Sequence, residues 1–237
     1  MDSRIPNIIR FHERLNPRLW RQDHRLRTEV RLKVLENAIA FYRFLGLKGL
    51  IVKDIIVTGS NAAYNYTLQS DLDVHLLVDF ERTPCPDIAS NMFTTKKTLW
   101  NQSYDITING HALELYVENI ADPVNANGVF SVLHDRWLKV PARTSPAYDD
   151  VAILSKAEVY ADEIDALLAG EPTIATIDQM LHRLHHLRQN GLMSGGEFST
   201  ENLTYKTLRA IGYLQKLYDE ATKLRDQRLS VGQRTYI

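Results

Sequence analysis

The sequence predicts an α/β (α+β) protein: a mixed β-sheet with flanking helices, followed by a helical-bundle region. Two observations support this prediction. Short apolar runs rich in β-branched residues, typical of buried strands, alternate with helical segments in the first 150 residues. Beyond residue 150 the apolar residues recur at three- and four-residue spacing. We therefore predict one domain over 1–150, including an N-terminal helix, and a C-terminal helical domain over 151–237.

The first predicted element is an amphipathic helix that begins near Thr28 and ends near Gly46. Apolar residues recur along it at helical spacing, and basic residues fill the gaps. The apolar stripe that we expect to face the core consists of Leu32, Leu35, Ile39, Tyr42 and Leu45.

Two buried strands should follow the helix. Residues 54–58 form a short run rich in β-branched side chains, and residues 72–80 are nearly continuously apolar. Gly59, between them, suits a tight turn that opens a short helix. We predict a longer helix at about 87–100.

A β-hairpin is predicted next, because residues 105–108 and 112–117 alternate around Asn109-Gly110, a strong turn signal. In its second arm Glu114 and Tyr116 share one face. This places a carboxylate in the middle of a strand, where such residues are disfavoured.

The remaining predicted elements are helices. One short helix is expected at about 129–137, in an otherwise irregular stretch. Three longer helices are expected at about 150–168, 174–189 and 200–228, the first two closed by Gly170 and Gly191 and the last capped by Ser199 or Thr200.

The composition is that of an ordinary globular protein of the cytoplasm. A lone cysteine, Cys85, fits a reducing compartment. No apolar run approaches the ~20 residues that a membrane span needs. The N-terminal residues mix charges with apolar positions, unlike a signal peptide. We expect a cytoplasmic location, in the host cell if a phage encodes the protein, and no membrane partner.

The charge is unevenly distributed. Residues 1–53 carry 12 Lys and Arg against 5 Asp and Glu, whereas residues 54–150 carry 6 against 13. A basic flank beside an acidic centre could guide a polyanion toward a metal site. Solvated helix faces would give the same pattern, so both interpretations stay open.

Asp71 and Asp73 form the most informative pair in the sequence. Residues i and i+2 of a strand point to the same face, so the two carboxylates should lie side by side. Like charges this close repel unless a cation lies between them. The pair therefore predicts a site for a hard divalent cation such as Mg²⁺.

Glu114 is the predicted third carboxylate of this site, if its strand lies beside the strand of Asp71 and Asp73. Glu118 is the rival candidate, because strand alternation places it further along the same face. Three carboxylates suit two Mg²⁺ (or Mn²⁺) ions roughly 4 Å apart, an arrangement used in phosphoryl transfer. His75 continues the face of the two aspartates and could approach the site.

The turn at Gly59-Ser60 adds a phosphate-binding element. A glycine lets main-chain N–H groups approach a phosphate closely, and a helix start favours negative charge. The carboxylates and the turn together predict a site for a nucleoside triphosphate, with Gly59 and Ser60 as nucleotide-binding residues.

These residues resemble the signature of the DNA polymerase β-like nucleotidyltransferase superfamily. The signature pairs a Gly-Ser turn with Asp-x-Asp about ten residues later, as in Thr58-Gly59-Ser60 and Asp71-Leu72-Asp73. The chain also looks like the small predicted nucleotidyltransferases of bacteriophages, through the stretches TGSNAAYNYTLQSDLDVHLLVDF, KKTLWNQSYDITINGHALELYVEN and ENLTYKTLRAIGYLQKL.

The resemblance implies a nucleotidyltransferase core and assigns roles. Asp71 and Asp73 would hold the metal bound to the triphosphate, and Asp73 with Glu114 would hold the second metal. Many members have Asp where this chain has Glu114. An acceptor hydroxyl would attack the α-phosphate, and pyrophosphate would leave. Lys206, in the helical region, would contact the triphosphate.

Several alternatives stay open at this stage. The acceptor could be RNA, protein or a small molecule. A catalytically silent nucleotide-binding or antitoxin-like partner could have kept the same fold. Within the enzyme class, a synthase of oligonucleotide signals or an enzyme that modifies RNA ends is also compatible. Base preference and oligomeric state are not fixed by the sequence.

Overall fold

The computed structural model describes residues 11–46, 49–83, 86–124, 126–143 and 148–230. Cys85, on which the expected reducing compartment depended, lies outside the described residues. The described residues fall into two compact units, one within residues 10–145 and the other within residues 146–237. The first, here called the sheet unit, contains a mixed sheet, and the second, the helical unit, is built of helices.

The sheet has six strands, which run in the spatial order β3-β4-β2-β1-β5-β6. Strands β2 and β4 are parallel, and every other neighbouring pair is antiparallel. This confirms the predicted α/β class with a mixed sheet. The strands are β1 (Val52–Thr58), β2 (Leu72–Val78), β3 (Thr107–Ile108), β4 (His111–Asn119), β5 (Val129–Ser131) and β6 (Arg136–Lys139).

One face of this sheet packs on two helices, α1 (Thr28–Leu45) and α2 (Pro86–Ser103). Alternate residues of β2, among them Val74 and Leu76, are buried in the same core as Phe41 of α1 and Phe93 of α2. Because side chains alternate along a strand, Asp73 and His75 must point to the opposite face. The helices therefore cover one face, and the polar residues of β2 occupy the other.

The buried stripe of α1 differs from the predicted one. Leu32 and Ile39 are 59% and 50% exposed. Both stripes have helical spacing, so the sequence pattern does not choose between them. Arg31 helps to fix the rotation, because its Nε and Nη2 donate to the carbonyl oxygens of Val132 and Leu133 at 2.9 and 3.0 Å. The stripe that is buried consists of Val30, Val34, Ala38, Phe41 and Leu45.

The helix predicted at 129–137 is wrong, since these residues form strands β5 and β6. Asp135, in the connection between them, has a φ of 50°, which a helix does not permit. Val57 of β1 pairs with Phe130, and Ser131 donates to Asp54 Oδ1 at 2.8 Å in a buried hydrogen bond. Pairing with β1 thus decides the structure of a short apolar run that is ambiguous in isolation.

The predicted hairpin is confirmed as β3 and β4, with positive φ at Asn109 (50°) and Gly110 (85°). The connection from β2 through α2 and β3 returns the chain beside β2, so that β4 runs parallel to it. This crossover brings Glu114 next to the strand of Asp73.

The helical unit consists of α3 (Asp150–Ala169), α4 (Ile174–Gly195), α5 (Thr200–Ala210) and α6 (Tyr213–Leu229). The single helix predicted at 200–228 is wrong, because Gly212 adopts a φ of 86° and separates α5 from α6. The hydroxyl of Ser199 caps α5 by accepting from the N–H of Asn202 at 3.2 Å. Within the described ranges, no helix has the length and apolarity that crossing a membrane requires.

Gly191 was expected to close α4, but α4 continues through it to Gly195. Its role is close packing. A Cβ at position 191 would lie 2.5 Å from Ser199 Oγ and 2.9 Å from the main-chain nitrogen of Asn202. The glycine therefore lets α4 approach the start of α5 more closely than any other residue would allow.

We expect Gly191→Ala to destabilise the helical unit. The gain of about 1 kcal/mol in helix propensity is outweighed by overpacking of roughly 1–3 kcal/mol, since main-chain atoms must move. Gly170→Ala is the matched control, because a Cβ there would have its nearest contacts at 3.6 Å. Thermal unfolding followed by circular dichroism should show a lower melting temperature for Gly191→Ala than for Gly170→Ala. Equal melting temperatures would contradict the packing role.

Candidate carboxylate site

The centre of the candidate site is a row of three side chains across the sheet. Asp73 pairs with Thr58 of β1 on one side and with Glu114 of β4 on the other. Residues directly opposite each other in neighbouring strands point to the same face, so the two carboxylates are lateral neighbours. Both are half-buried. The strand of Glu114 thus lies beside the strand of Asp73, which is the condition under which the sequence predicts Glu114 as the third carboxylate.

Asp71 lies just before β2, which begins at Leu72. It is half-buried, and the structure does not extend the strand to it as the alternation pattern assumed. Its carbonyl oxygen accepts from Asn61 Nδ2 at 3.0 Å. Asp71 is therefore held by a side chain of the preceding turn, in addition to its chain connection to β2.

Tyr116 links the carboxylates electrostatically. Its hydroxyl donates to Glu114 Oε2. Burial raises the pKa of the Tyr116 phenol well above its usual range, and the charges of Asp73, Glu114 and Asp71 raise it further. The three carboxylates are thus all close enough to oppose a negative charge on one hydroxyl. The Nζ of Lys97 lies 4.0 Å from the centroid of the Tyr116 ring.

Gly59 makes direct contact possible between the turn and Asp73. Its φ of 75° and ψ of −165° belong to a region that essentially only glycine occupies. A Cβ at this position would lie 2.1 Å from Asp73 Oδ2. The turn therefore lies against the carboxylate, and both the conformation and the contact require glycine.

Ser60 begins a three-residue 3₁₀ turn, Ser60–Ala62, which is the short helix predicted there. Its Oγ donates to Ser70 Oγ at 2.9 Å, and Ser70 Oγ also accepts from the N–H of Thr67 at 2.9 Å. The hydroxyl of Ser60 thus ties the turn to the segment that leads into Asp71. This contact is structural, and phosphate binding by Ser60 remains a prediction.

Glu118 lies two residues beyond Tyr116 and faces a different partner from Glu114. Its Oε2 is 3.1 Å from His75 Nδ1, and this imidazole holds the pKa of Glu118 below its usual range. His75 stacks on Tyr116 with a centroid distance of 4.6 Å, and its Nε2 lies 3.1 Å from Thr58 Oγ1. Glu114, the register neighbour of Asp73, is therefore the better placed third carboxylate.

Lys206, the predicted triphosphate contact, belongs to α5 of the helical unit. Its Nζ lies 3.1 Å from Glu197 Oε1 within that unit. It is not among the residues that the sheet brings together, and a role at the triphosphate remains a prediction for it.

The basic flank seen in the sequence is partly neutralised by local ion pairs. Arg25 and Arg31 both approach Asp135, at 2.9 and 3.8 Å. Lys33 Nζ lies 2.6 Å from Glu36 Oε2. These pairs favour the interpretation of the flank as a solvated surface over that of a surface built for a polyanion.

A buried amide network behind the turn has no counterpart in the sequence-based predictions. Asn61 and Asn16 are 0% and 2% exposed, and His111 is 1% exposed. Asn16 Nδ2 donates to Asn61 Oδ1 and to His111 Nε2, both at 2.8 Å. The asparagine that follows Gly59-Ser60 gave the one local signal, since an amide in a turn is usually bonded to the main chain.

The carboxylate oxygens of the site suit magnesium, although the side chains are not arranged around a position for the ion. Among the residues that the structure describes, no group of three or more His, Cys, Asp and Glu side chains is arranged to hold a metal ion. Asp71, Asp73 and Glu114 nevertheless supply the carboxylate oxygens that Mg²⁺ prefers. The glycine at position 59 leaves room for an Asp73 oxygen that any side chain would displace.

No protein-family model and no curated protein matches the chain. A solved structure that is similar to it is the STING-associated CdnE c-di-GMP synthase from Capnocytophaga granulosa. The alignment covers 86% of this chain and 84% of that chain, at 12% identity and a TM-score of 0.23. A TM-score this low supports neither a shared fold nor a shared activity.

Proposed function

We propose that the protein is a metal-dependent nucleotidyltransferase that moves a nucleoside monophosphate from a nucleoside triphosphate to an acceptor hydroxyl and releases pyrophosphate. The observation that carries this proposal is the row formed by Asp73 and Glu114 on parallel neighbouring strands, with Gly59 seated against Asp73. The carboxylate pair offers the ligands that a hard cation prefers. The glycine turn beside it offers main-chain N–H donors to a phosphate.

Each residue of the carboxylate site has a defined part in this proposal. Asp71, Asp73 and Glu114 would hold two Mg²⁺ or Mn²⁺ ions. When bound, these ions would neutralise the phosphate charge and lower the pKa of the acceptor hydroxyl. The turn at Gly59 would present its N–H groups to the triphosphate. The acceptor oxygen bonds to the α-phosphorus as the bond from that phosphorus to the leaving pyrophosphate breaks.

Tyr116 would act as a positioning residue in this scheme. Its raised pKa keeps the phenol protonated, so that the hydroxyl donates to Glu114 at any ordinary pH. Because a carboxylate has four lone-pair sites, this hydrogen bond leaves acceptor capacity on Glu114 for a cation. The phenol thus orients Glu114.

The proposal is tested by nucleotide transfer and nucleotide binding in parallel. The protein is incubated with each of the four α-labelled triphosphates and Mg²⁺ or Mn²⁺, with total RNA, protein or small-molecule extract as acceptor. Label transfer with pyrophosphate release is the expected result. Triphosphate binding by calorimetry without release would instead identify a catalytically silent nucleotide-binding protein, and absence of both would refute the proposal.

The choice between the two glutamates can be made by comparing matched variants. We expect Glu114→Gln to lower transfer by about 10²–10³-fold, since loss of one charged group aimed at the reacting centre typically costs that much. Glu118→Gln should lower it by less than about threefold, because Glu118 is engaged with His75. Initial rates at saturating metal give the comparison. The reverse order of effects would assign the third position to Glu118.

A further inference from the structure

One arrangement of protons accounts for the shortest hydrogen bonds of the buried network around Asn61. His111 Nδ1 lies 2.7 Å from the carbonyl oxygen of Ser70, which can only accept, so Nδ1 carries the proton. In a neutral imidazole Nε2 then accepts, and it does so from Asn16 Nδ2 at 2.8 Å. The orientation of the Asn16 amide follows from the tautomer of His111.

The amide of Asn61 is fixed by the same chain of bonds. Its Oδ1 accepts from Asn16, so its Nδ2 must face the other way. There it donates to the carbonyl oxygens of Ser70 and Asp71, both at 3.0 Å. Trp20 Nε1 in turn donates to the main-chain oxygen of Asn61 at 2.7 Å. Both the side chain and the main chain of Asn61 are thus held by hydrogen bonds, and the residue is fully buried.

These contacts place Asn61 between the two halves of the candidate site. By chain connection it belongs to the turn of Gly59 and Ser60, and by hydrogen bonding it belongs to the segment of Asp71. The nine residues between Asn61 and Asp71 form a loop that includes exposed positions such as Leu68, at 70%. Two ties join the turn to the Asp71 segment across this loop: Ser60 Oγ donates to Ser70 Oγ, and the Asn61 amide donates to the carbonyl oxygens of Ser70 and Asp71.

We propose that Asn61 is the positioning residue of the site: its amide holds Asp71 at a fixed place relative to the glycine turn, so that metal and triphosphate meet a preorganised pair. This inference rests on the proposed function. Asn61 does not touch the reacting atoms; it acts through the main chain of Asp71. His111 and Asn16 serve to orient its amide. Outer partners of metal ligands typically change metal affinity by about 10–100-fold when they are removed.

The test measures binding of Mn²⁺ alone to the protein by electron paramagnetic resonance of the free ion. Asn61→Leu replaces the amide by an apolar group of similar shape and adds no charge, and Asn61→Ala is the second variant should the first fail to fold. We expect the dissociation constant for Mn²⁺ to rise at least tenfold in either variant. Hydrogen exchange at the amides of residues 68–73 should become faster in the same variants.

Two control variants separate positioning from general destabilisation. Val30→Ala lowers stability in the core beneath α1, where Val30 is 1% exposed. Asn37→Ala removes another amide that donates to a carbonyl, that of Lys33 at 2.8 Å, outside the network. Both should bind Mn²⁺ as the parent does, even where their melting temperatures fall as far as that of the Asn61 variant.

The outcomes distinguish this inference from the proposed function. If Asp73→Asn loses Mn²⁺ binding while the Asn61 variants keep the parent affinity, the positioning role is refuted and the metal site stands. If Asp73→Asn binds Mn²⁺ as well as the parent, or the parent does not bind it, this inference fails, and the transfer assay decides separately whether the proposed function stands. A similar loss of affinity in Val30→Ala would also overturn the inference.

Discussion

Replacing Asp73 by asparagine is expected to lower nucleotide transfer about a thousandfold or more. Asp73 is flanked by Thr58 and Glu114 in the sheet and touched by the glycine turn, so it lies at the centre of the candidate site. Charge stabilisation by a bound metal is worth several kcal/mol, and each 1.4 kcal/mol is a factor of ten in rate. Asp71→Asn should show a loss of the same order.

The same substitution should abolish the stabilisation that Mn²⁺ gives the folded protein, because Asp73 lies at the centre of the carboxylate site. Melting temperatures measured with and without Mn²⁺ give the test, because a ligand stabilises the folded state to which it binds. The parent should gain stability from Mn²⁺ and Asp73→Asn should not.

Asp122→Asn is the control for this experiment, since Asp122 is an exposed carboxylate of the same unit. It should behave as the parent in both the transfer assay and the melting assay. Transfer by Asp73→Asn at the parent rate would refute the metal assignment. A large drop in its metal-free melting temperature would show instead that Asp73 has a structural role.

Replacing Gly59 by alanine is expected to reduce both transfer and stability. The backbone conformation of Gly59 is strained for any other residue, by roughly 1–3 kcal/mol. The added Cβ would in addition lie 2.1 Å from Asp73 Oδ2, so that either the turn or the carboxylate must move. We expect transfer to fall more than a hundredfold, since misplacement by about 1 Å can cost that much. The melting temperature should fall by roughly 4–10 °C.

Gly46→Ala is the control for a positive φ without the contact. Gly46 ends α1 in the left-handed helical region, with φ 71° and ψ 14°, where a side chain is less strained than in the region of Gly59, and its Cβ would meet nothing nearer than 3.9 Å. Gly46→Ala should therefore lower the melting temperature modestly and leave transfer unchanged. In a double-mutant cycle, Gly59→Ala should cost less stability in an Asp73→Ala background, because Oδ2 is then absent. Strict additivity in this cycle would contradict the contact between turn and carboxylate.

The sequence correctly predicted those elements whose residue pattern fits only one structure. The alternation on either side of Asn109-Gly110 defined the hairpin, and Gly46 marked the end of α1. Prediction failed where two structures fit one pattern. Helix α1 has two apolar stripes of helical spacing, and a tertiary contact of Arg31 is among the contacts that determine which stripe is buried. Residues 129–131 form a strand because β1 offers a pairing edge, which local sequence cannot reveal.

For the candidate site, the residue types could be read from the sequence but their supports could not. Strand alternation placed Asp73 on one face with Asp71, and Glu114 on one face with Tyr116, whereas the pairing of those strands depends on the crossover through α2. The contact between Gly59 and Asp73 Oδ2 is a consequence of tertiary packing. The links from Asn16 to Asn61 and His111 span 45 and 95 residues, and no local pattern records them.

The register between β2 and β4 determines where this chain can change its length. Insertions at the tip near Asn109 and Gly110 would lengthen a turn and leave the row of Asp73 and Glu114 intact. One residue inserted between His111 and Glu114 would turn the Glu114 carboxylate into the apolar core beneath the sheet, because side chains alternate along a strand. The chain can therefore diverge by growth of its hairpin tip, whereas the three residues of β4 before the glutamate have a fixed count.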